Sequence, residues 1–297
     1  MESSLTRAEF DVLAALAEGL PHAAGGEVLA RLEDRSLVST GAVTDAGLEA
    51  LEPYRVARAV VTAAGFGKRM VPVTLEKPKP LVRVNGRRIV DSVLDALLAA
   101  GIDEIYLVRG YLAEQFDELL KDYPTIRFIE NPLYDEANNI SSIAAARDVL
   151  ANAYVCEADL VLRNASLITK YQYGSNYLGV PVAHTDDWCF LTDDDLFITD
   201  LLVGGDDCHH MYGISYWTER DGGRLGHDAA KLMETPGGRD RYLDEIALRA
   251  YKDDYRVYVR ECSMDDVAEI DTFEELVQID PSYASWTTAP RIAMEAE

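Results

Sequence analysis

The stretch Val60-Val61-Thr62-Ala63-Ala64-Gly65-Phe66-Gly67-Lys68-Arg69-Met70-Val71-Pro72-Val73-Thr74, continued by Lys77-Pro78-Lys79-Pro80-Leu81, decides how this chain is read. Val60, Val61 and Thr62 predict a short buried strand that stops at two alanines and a glycine. Gly65 and Gly67 allow a sharp turn and let a ligand approach the backbone with no Cβ in the way. Lys68, Arg69, Lys77 and Lys79 then concentrate cations in a chain that is otherwise acidic. Backbone N–H donors, exposed by small residues and backed by lysine and arginine, are what a polyphosphate requires. The expected nucleotide contacts are therefore Ala63, Ala64, Gly65, Gly67 and Lys68, backed by the cations Arg69 and Lys79.

Two familiar phosphate loops do not fit. A dinucleotide fingerprint needs a third glycine where Met70 stands, and a P-loop needs G-K-[ST] after four intervening residues. The segment instead resembles the signature of nucleotidyltransferases that activate sugar phosphates and choline phosphate, roughly G-x-G-x-R-(M/L)-x-P-(L/V)-T followed by P-K.

The chain of 297 residues carries a net charge of −24, with 48% hydrophobic and 27% charged residues. That composition suits a soluble globular protein of one large or two ordinary domains. No apolar run reaches the ~18 residues of a membrane span. Met1 to Leu20 has no basic leader, so no secretory signal is expected. The strong negative charge argues against general affinity for nucleic acid or anionic membranes. It also implies a divalent cation, Mg²⁺, wherever a triphosphate is held. Cys156, Cys189, Cys208 and Cys262 are far apart and form no C-x-x-C, so reduced thiols and a cytoplasmic location are expected. Cys208-His209-His210 is not expected to ligate metal, because neighbours on a strand face opposite ways.

Residues 1–53 read as a separate small module. Phe10, Leu13, Ala17 and Leu20 recur at helical spacing, Val28 to Leu32 suggests a second helix, 37–43 a hairpin and 44–51 a last helix. This order resembles a degenerate winged-helix domain of bacterial regulators. The module holds three basic residues against ten acidic ones, so packing or dimerisation is expected rather than DNA binding. Residues 53–58 read as a linker, and 58–297 as the main domain. There, strands and helices alternate, the mark of an α/β fold with a largely parallel sheet flanked by helices. Among them a helix is expected over 112–121 with Leu112, Phe116, Leu119 and Leu120 inward, a hairpin over 188–202 around Asp193-Asp194-Asp195, and helices near 228–234 and 240–250.

In such sheets ligands gather beyond the carboxyl ends of strands. Asp159 follows Y-V-C-E-A and Asp271 ends V-A-E-I-D, and a pair of rigid carboxylates there suits Mg²⁺. Asn139, Ser141 and Ser142 open a helix, where amides and hydroxyls could read a pyrimidine edge. Trp188, Tyr212, Tyr216, Trp217 and Tyr242 lie in sequence near Asp186, Asp187, Asp244 and Glu245, rings and carboxylates of the kind that bind a quaternary ammonium.

N-N-I-S-S-I, E-A-D, G-I-S-Y-W-T-E-R-D-G and A-E-I-D-T-F-E-E-L resemble the bacterial CTP:phosphocholine cytidylyltransferases, over about Ala59 to Tyr283. The resemblance implies a Rossmann-like, GT-A-like mixed sheet and Mg²⁺-dependent transfer of CMP from CTP to phosphocholine. It places Gly65, Gly67 and Arg69 on the CTP phosphates, Lys79 on phosphate, and Asp159 and Asp271 on the metal. The choline side would be Trp188, Tyr216, Trp217, Asp244 and Glu245. Glu157, Pro80 and Leu243 depart from the family pattern, Leu243 standing where an aromatic is frequent. The alternatives are a sugar-1-phosphate nucleotidyltransferase using UTP, dTTP or GTP, or a nucleotide-sensing DNA-binding regulator. A homodimer is compatible with all of these.

Overall fold

In the computed structural model, which describes residues 5–22 and 25–288, the amino-terminal module follows its hydrophobic spacing. Residues 289–297, which the sequence assigns to the main domain, lie outside the described residues, as do 1–4 and 23–24 of the module. Thr6 caps α1 (Arg7–Glu18) in a capping box with Glu9. Then come α2 (Gly26–Asp34), a hairpin of β1 (Val38–Ser39) and β2 (Ala42–Val43), and α3 (Asp45–Leu51). Leu13, Leu32 and Leu51 are fully buried in its core, which also takes in Tyr171 of the main domain. Arg7 lies 3.9 Å above the Tyr258 ring, and Tyr54 stacks on Tyr173. The expected linker is pinned rather than free: the Val56 amide donates to the Lys170 carbonyl and the Gln172 amide to Tyr54.

The main domain begins with β3 (Arg58–Thr62), buried over Ala59 to Val61. A small hairpin, β4 (Arg83–Val84) and β5 (Arg87–Arg88), leads to α4 (Asp91–Ala99), which Gly101 ends at φ 76°. β6 (Ile105–Arg109), β7 (Arg127–Glu130), α5 (Ile140–Ala145), β8 (Ala153–Glu157) and β9 (Leu160–Leu162) follow. Two long strands, β10 (Asn176–Thr192) and β11 (Ile198–Trp217), turn at the aspartate run as expected, with Asp193 accepting from the Asp195 and Phe197 amides. α6 (Glu219–Met233), β12 (Tyr258–Glu261), β13 (Val267–Glu269) and α7 (Phe273–Ile279) complete the chain.

Seven strands form one sheet in the order β12-β10-β11-β8-β3-β6-β7. The β3 pairs with β6 and β8, like β6 with β7 and β10 with β12, are parallel, while β11 runs antiparallel between β10 and β8. The mixed, mostly parallel α/β sheet expected from sequence is thus present. One apolar core lies on each face: Val61 and Tyr154 enter one, Val60 and Val155 the other. β9 and β13 pair as a separate antiparallel ribbon, which brings the end of β13 beside the end of β8.

Some local expectations fail. Residues 113–121 form the expected helix, wound as 3-10 after Leu112 at φ 46°, but Leu120 stays exposed while Phe116 and Leu119 are buried. The expected helix over 240–250 is a short 3-10 turn and a π-helical turn at Ile246–Ala250. α6 begins about two and a half turns earlier than expected, at the Thr218 cap.

Gly222 and Gly226 let α6 press against the turn before β8: a Cβ on Gly222 would run into the Leu150 carbonyl, and one on Gly226 into the Arg147 backbone. Helix propensity alone would make Gly222→Ala stabilising by up to about 1 kcal/mol. The clash is with backbone and reverses the sign, so urea denaturation should show a loss of about 1–3 kcal/mol.

Candidate active site

The strand ends of the sheet converge on a cleft of about 270 Å³. The loop after β3 enters it first. The Ala63 amide donates to Val108, and the Tyr111 amide donates to Ala64, which fixes the loop on β6. Gly67 sits at φ 69° and lies close to the Lys79 stem, where a Cβ would come within 3.1 Å of Lys79 Cβ. Nothing stands within 4 Å of the Cβ direction of Gly65, so that space is open to a ligand. Lys68 and Arg69 follow on a 3-10 turn over Lys68–Met70.

Lys79 is buried, at 7% exposure, yet keeps a charged partner on either side: its Nζ donates to Asp159 Oδ2 and Asp271 Oδ1, each at 2.8 Å. Burial alone would lower its pKa, but the two carboxylates outweigh that and raise it, so the side chain remains an ammonium. Arg69 Nη2 lies 3.1 Å from Asp271 Oδ2. Across the cleft, Asn131 Nδ2 donates to the hydroxyls of Ser141 and Ser142, which places neutral hydrogen-bonding groups at the start of α5.

The structure brings together Ala63, Ala64, Gly65, Gly67, Lys68, Arg69, Lys79, Asn139, Ser141, Ser142, Asp159 and Asp271, all on this one cleft. A second cleft opens directly beside it and shares Arg69, Asn139, Glu157, Asp159 and Asp271. Trp188 and Asp244 line it, together with Tyr242, Asp187, Met211 and Glu269. Trp188 and Tyr242 meet edge to face at 5.4 Å. Asn139 ties the two clefts: its amide group donates to Glu157 Oε1 and its carbonyl oxygen accepts from the Leu243 amide.

Three expected acceptor residues do not line this cleft. Trp217 is fully buried, its indole N–H donating to Ser215, and Tyr216 is buried in the opposite core with its hydroxyl on Asn152. The antiparallel register explains both, since it sets Trp217 against Ala153, the end of β8 away from Glu157. Glu245 is buried too, accepting from Arg241, Arg249 and the Tyr242 amide at 2.9 Å each. Of the wider set, Tyr212 is buried and Asp186 pairs with His184 at the surface. Sequence reading missed Glu157, noted only as a departure, and Glu269, Asn131 and Met211. The signal for Glu269 was its place on the strand leading to Asp271; Asn131 had none beyond following β7.

The second cleft is short of positive charge. Six carboxyl side chains (Glu157, Asp159, Asp187, Asp244, Glu269 and Asp271) line it with one cation, Arg69, and Lys79 reaches only Asp159 and Asp271 from the first cleft. Burial, then Asp159, Asp244 and Glu269, pushes Glu157 well above the ordinary carboxylate range. Burial with the charges of Asp271 and Asp159 pushes Glu269 up to about 7, and burial above all pushes Asp244 up to about 6. Such a site gains whenever a cation enters. Among the described residues no three His, Cys, Asp or Glu side chains form a ready-made metal cage, and none of the helices is long and apolar enough to cross a membrane.

Residues 59–195 match the MobA-like NTP transferase domain. The chain is 38% identical, over 76% of its length and 92% of the relative, to a 2-aminoethylphosphonate cytidylyltransferase of Lancefieldella rimae. It is 30% identical to a choline-phosphate cytidylyltransferase of Streptococcus pneumoniae, over 73% of its length and 94% of the relative. The solved structure of the CTP:phosphocholine cytidylyltransferase from Streptococcus pneumoniae superposes with a TM-score of 0.70 at 29% identity, covering 77% of this chain and 99% of that one.

The raised pKa of Asp244 sets a stability test. Its folded value of about 6 exceeds the ordinary 3.8, so between those values the folded chain binds the proton more tightly and stability falls as pH rises. Asp244→Asn removes that loss. Its melting temperature should exceed the parent's near pH 8, and the difference should vanish near pH 4, by calorimetry at both pH values.

Proposed function

This chain belongs to the cytidylyltransferase family of nucleotidyltransferases, and from that premise we propose that it transfers CMP from CTP to a small phosphate or phosphonate whose other end carries an ammonium group. The observation that carries the acceptor is the second cleft, where six carboxylates crowd around one arginine beside two aromatic rings. CTP would occupy the first cleft. Its phosphates lie along Gly65, Gly67, Lys68 and Arg69, and its base against Asn139, Ser141 and Ser142.

In this reading an anionic oxygen of the acceptor attacks the α-phosphorus of CTP in line. One P–O bond forms, the α–β bridging P–O bond breaks, and pyrophosphate leaves with the electron pair. The nucleophile is already ionised, so no residue need take a proton. The protein's work is positioning and charge stabilisation. Lys79 and Arg69 stabilise charge on the phosphates. Asp159 and Asp271, each of which accepts from the Lys79 ammonium at 2.8 Å, are hard oxygen donors that would suit a divalent cation such as Mg²⁺. Bound there, the ion would neutralise phosphate charge. Lys79→Ala should lower kcat by at least about 10²-fold.

The ammonium end is read as a primary amine first. Asp187, Asp244 and Glu269 offer hydrogen-bond acceptors, which a primary ammonium uses and a quaternary one does not. That favours 2-aminoethylphosphonate. Phosphocholine is the second reading, favoured by the Trp188–Tyr242 pair, whose faces attract a quaternary ammonium. Pyrophosphate release with CTP, a divalent cation and each of 2-aminoethylphosphonate, phosphocholine and hexose 1-phosphates separates them. Turnover is expected with the first or second and none with the sugars. Turnover with sugars alone would overturn the proposal. In the active pair, Asp244→Asn should raise the acceptor KM about tenfold or more with the CTP KM little changed.

A further inference from the structure

Lys79 stands where a divalent cation would be wanted. Its ammonium donates to Asp159 and Asp271 at 2.8 Å each, and Arg69 takes the remaining oxygen of Asp271 at 3.1 Å. Both carboxylates are already paired directly with cations, so a free metal ion would have to displace a bonded ammonium to reach them. An incoming dication would also lie against a resident ammonium, a like-charge contact in a partly buried place. The stem of Lys79 cannot simply swing out. It starts on the 3-10 turn Lys79–Leu81, is 7% exposed, and lies along Gly67, where a Cβ would come within 3.1 Å of its Cβ and 3.7 Å of its Cδ.

A triphosphate changes this balance. An ammonium has three N–H donors, and phosphate oxygens compete for them with carboxylates. As Lys79 and Arg69 turn their charge to phosphate, carboxylate oxygens are released toward a cation. Among the described residues no three acidic or imidazole side chains are arranged to hold a metal ion, which fits a site completed by substrate oxygens.

We propose that Lys79 is the resident counter-ion of Asp159 and Asp271: it keeps free divalent cations off these carboxylates, and it gives them up only when the nucleotide's phosphates engage its ammonium. Metal and nucleotide binding are then coupled through one side chain, and the coupling is reciprocal. The inference rests on the nucleotide reading of the first cleft but not on the identity of the acceptor.

The test uses the full chain with Mn²⁺ alone, no nucleotide present, and electron paramagnetic resonance to count free ion. The parent protein should bind Mn²⁺ weakly. Lys79→Met should bind one Mn²⁺ about tenfold more tightly or better, and Lys79→Arg, which keeps the charge, should behave like the parent. Adding Asp271→Asn to Lys79→Met should remove the gain. Lys79→Gln, neutral and polar, replaces Lys79→Met if the latter is insoluble. Melting curves give a second reading, with Mn²⁺ raising the midpoint of Lys79→Met but not that of the parent. Equal Mn²⁺ affinity in the parent and the neutral variants would overturn the proposal. So would tight binding by the parent alone, or a gain that survives Asp271→Asn. The pyrophosphate assay on the parent protein is scored separately: activity there without any Mn²⁺ gain in the variants sinks this inference and leaves the transfer reading standing.

Discussion

A buried ammonium held between two carboxylates is the constraint on which the site depends. Lys79 lies 80 residues from Asp159 and 192 from Asp271, yet all three meet at hydrogen-bond distance. An unpaired charge at that depth would be costly, so the turn carrying Lys79 and the ends of two separate strands must arrive together. The sheet arranges this. β3 and β8 are parallel neighbours, so the glycine loop after one and Asp159 after the other emerge at the same edge. The β9–β13 ribbon then delivers Asp271 to the same place.

From that point the electrostatics divide. Lys68, Arg69 and Lys79 collect on one side, while the neighbouring cleft holds carboxylates whose protons are bound too tightly for their type. Arg69, Asn139, Glu157, Asp159 and Asp271 belong to both clefts and form the boundary. A small molecule with an anion at one end and a cation at the other is aligned by such a field before any shape fit is made. Alignment of this kind is what turns a meeting of two anions, acceptor and triphosphate, into a productive approach.

The first cleft was legible in the sequence because its parts are local. Residues 63–69 form one turn, 139–142 one helix start, and Lys79 is two prolines' grip on a 3-10 turn. Asp159 and Asp271 could be read because carboxylates at strand ends have a fixed direction. The second cleft is assembled from residues near 157, 188, 213, 242 and 269, and sequence proximity misled there. Tyr216 and Trp217 are neighbours in a strand covered on both faces, so alternation sends one ring into each core. Gly213, unremarkable in sequence, is where β11 passes the cleft, and a Cβ there would strike the Glu157 carboxylate. The 3-10 and π turns over 113–121 and 246–250 were unreadable for a related reason: both keep helical spacing of apolar residues while tertiary packing sets the winding.

Asp244 and Glu245 carry the sharpest form of this lesson. They are adjacent, both buried and both acidic. Burial pushes Asp244 up to about 6. Burial also pushes Glu245 up, but the Tyr242 amide with Arg249 and Arg241 outweighs it and holds that carboxyl below its usual value. Glu245 already has its cations, so it has little charge left to offer a ligand and instead secures the segment bearing Tyr242 and Asp244. Arg249, one of those cations, also lies 5.2 Å from the Trp188 ring centre, so the same clamp supports the aromatic wall. Whether a carboxylate binds ligand or scaffold is decided by which side reaches it first with positive charge, and that is a property of the fold rather than of the residue.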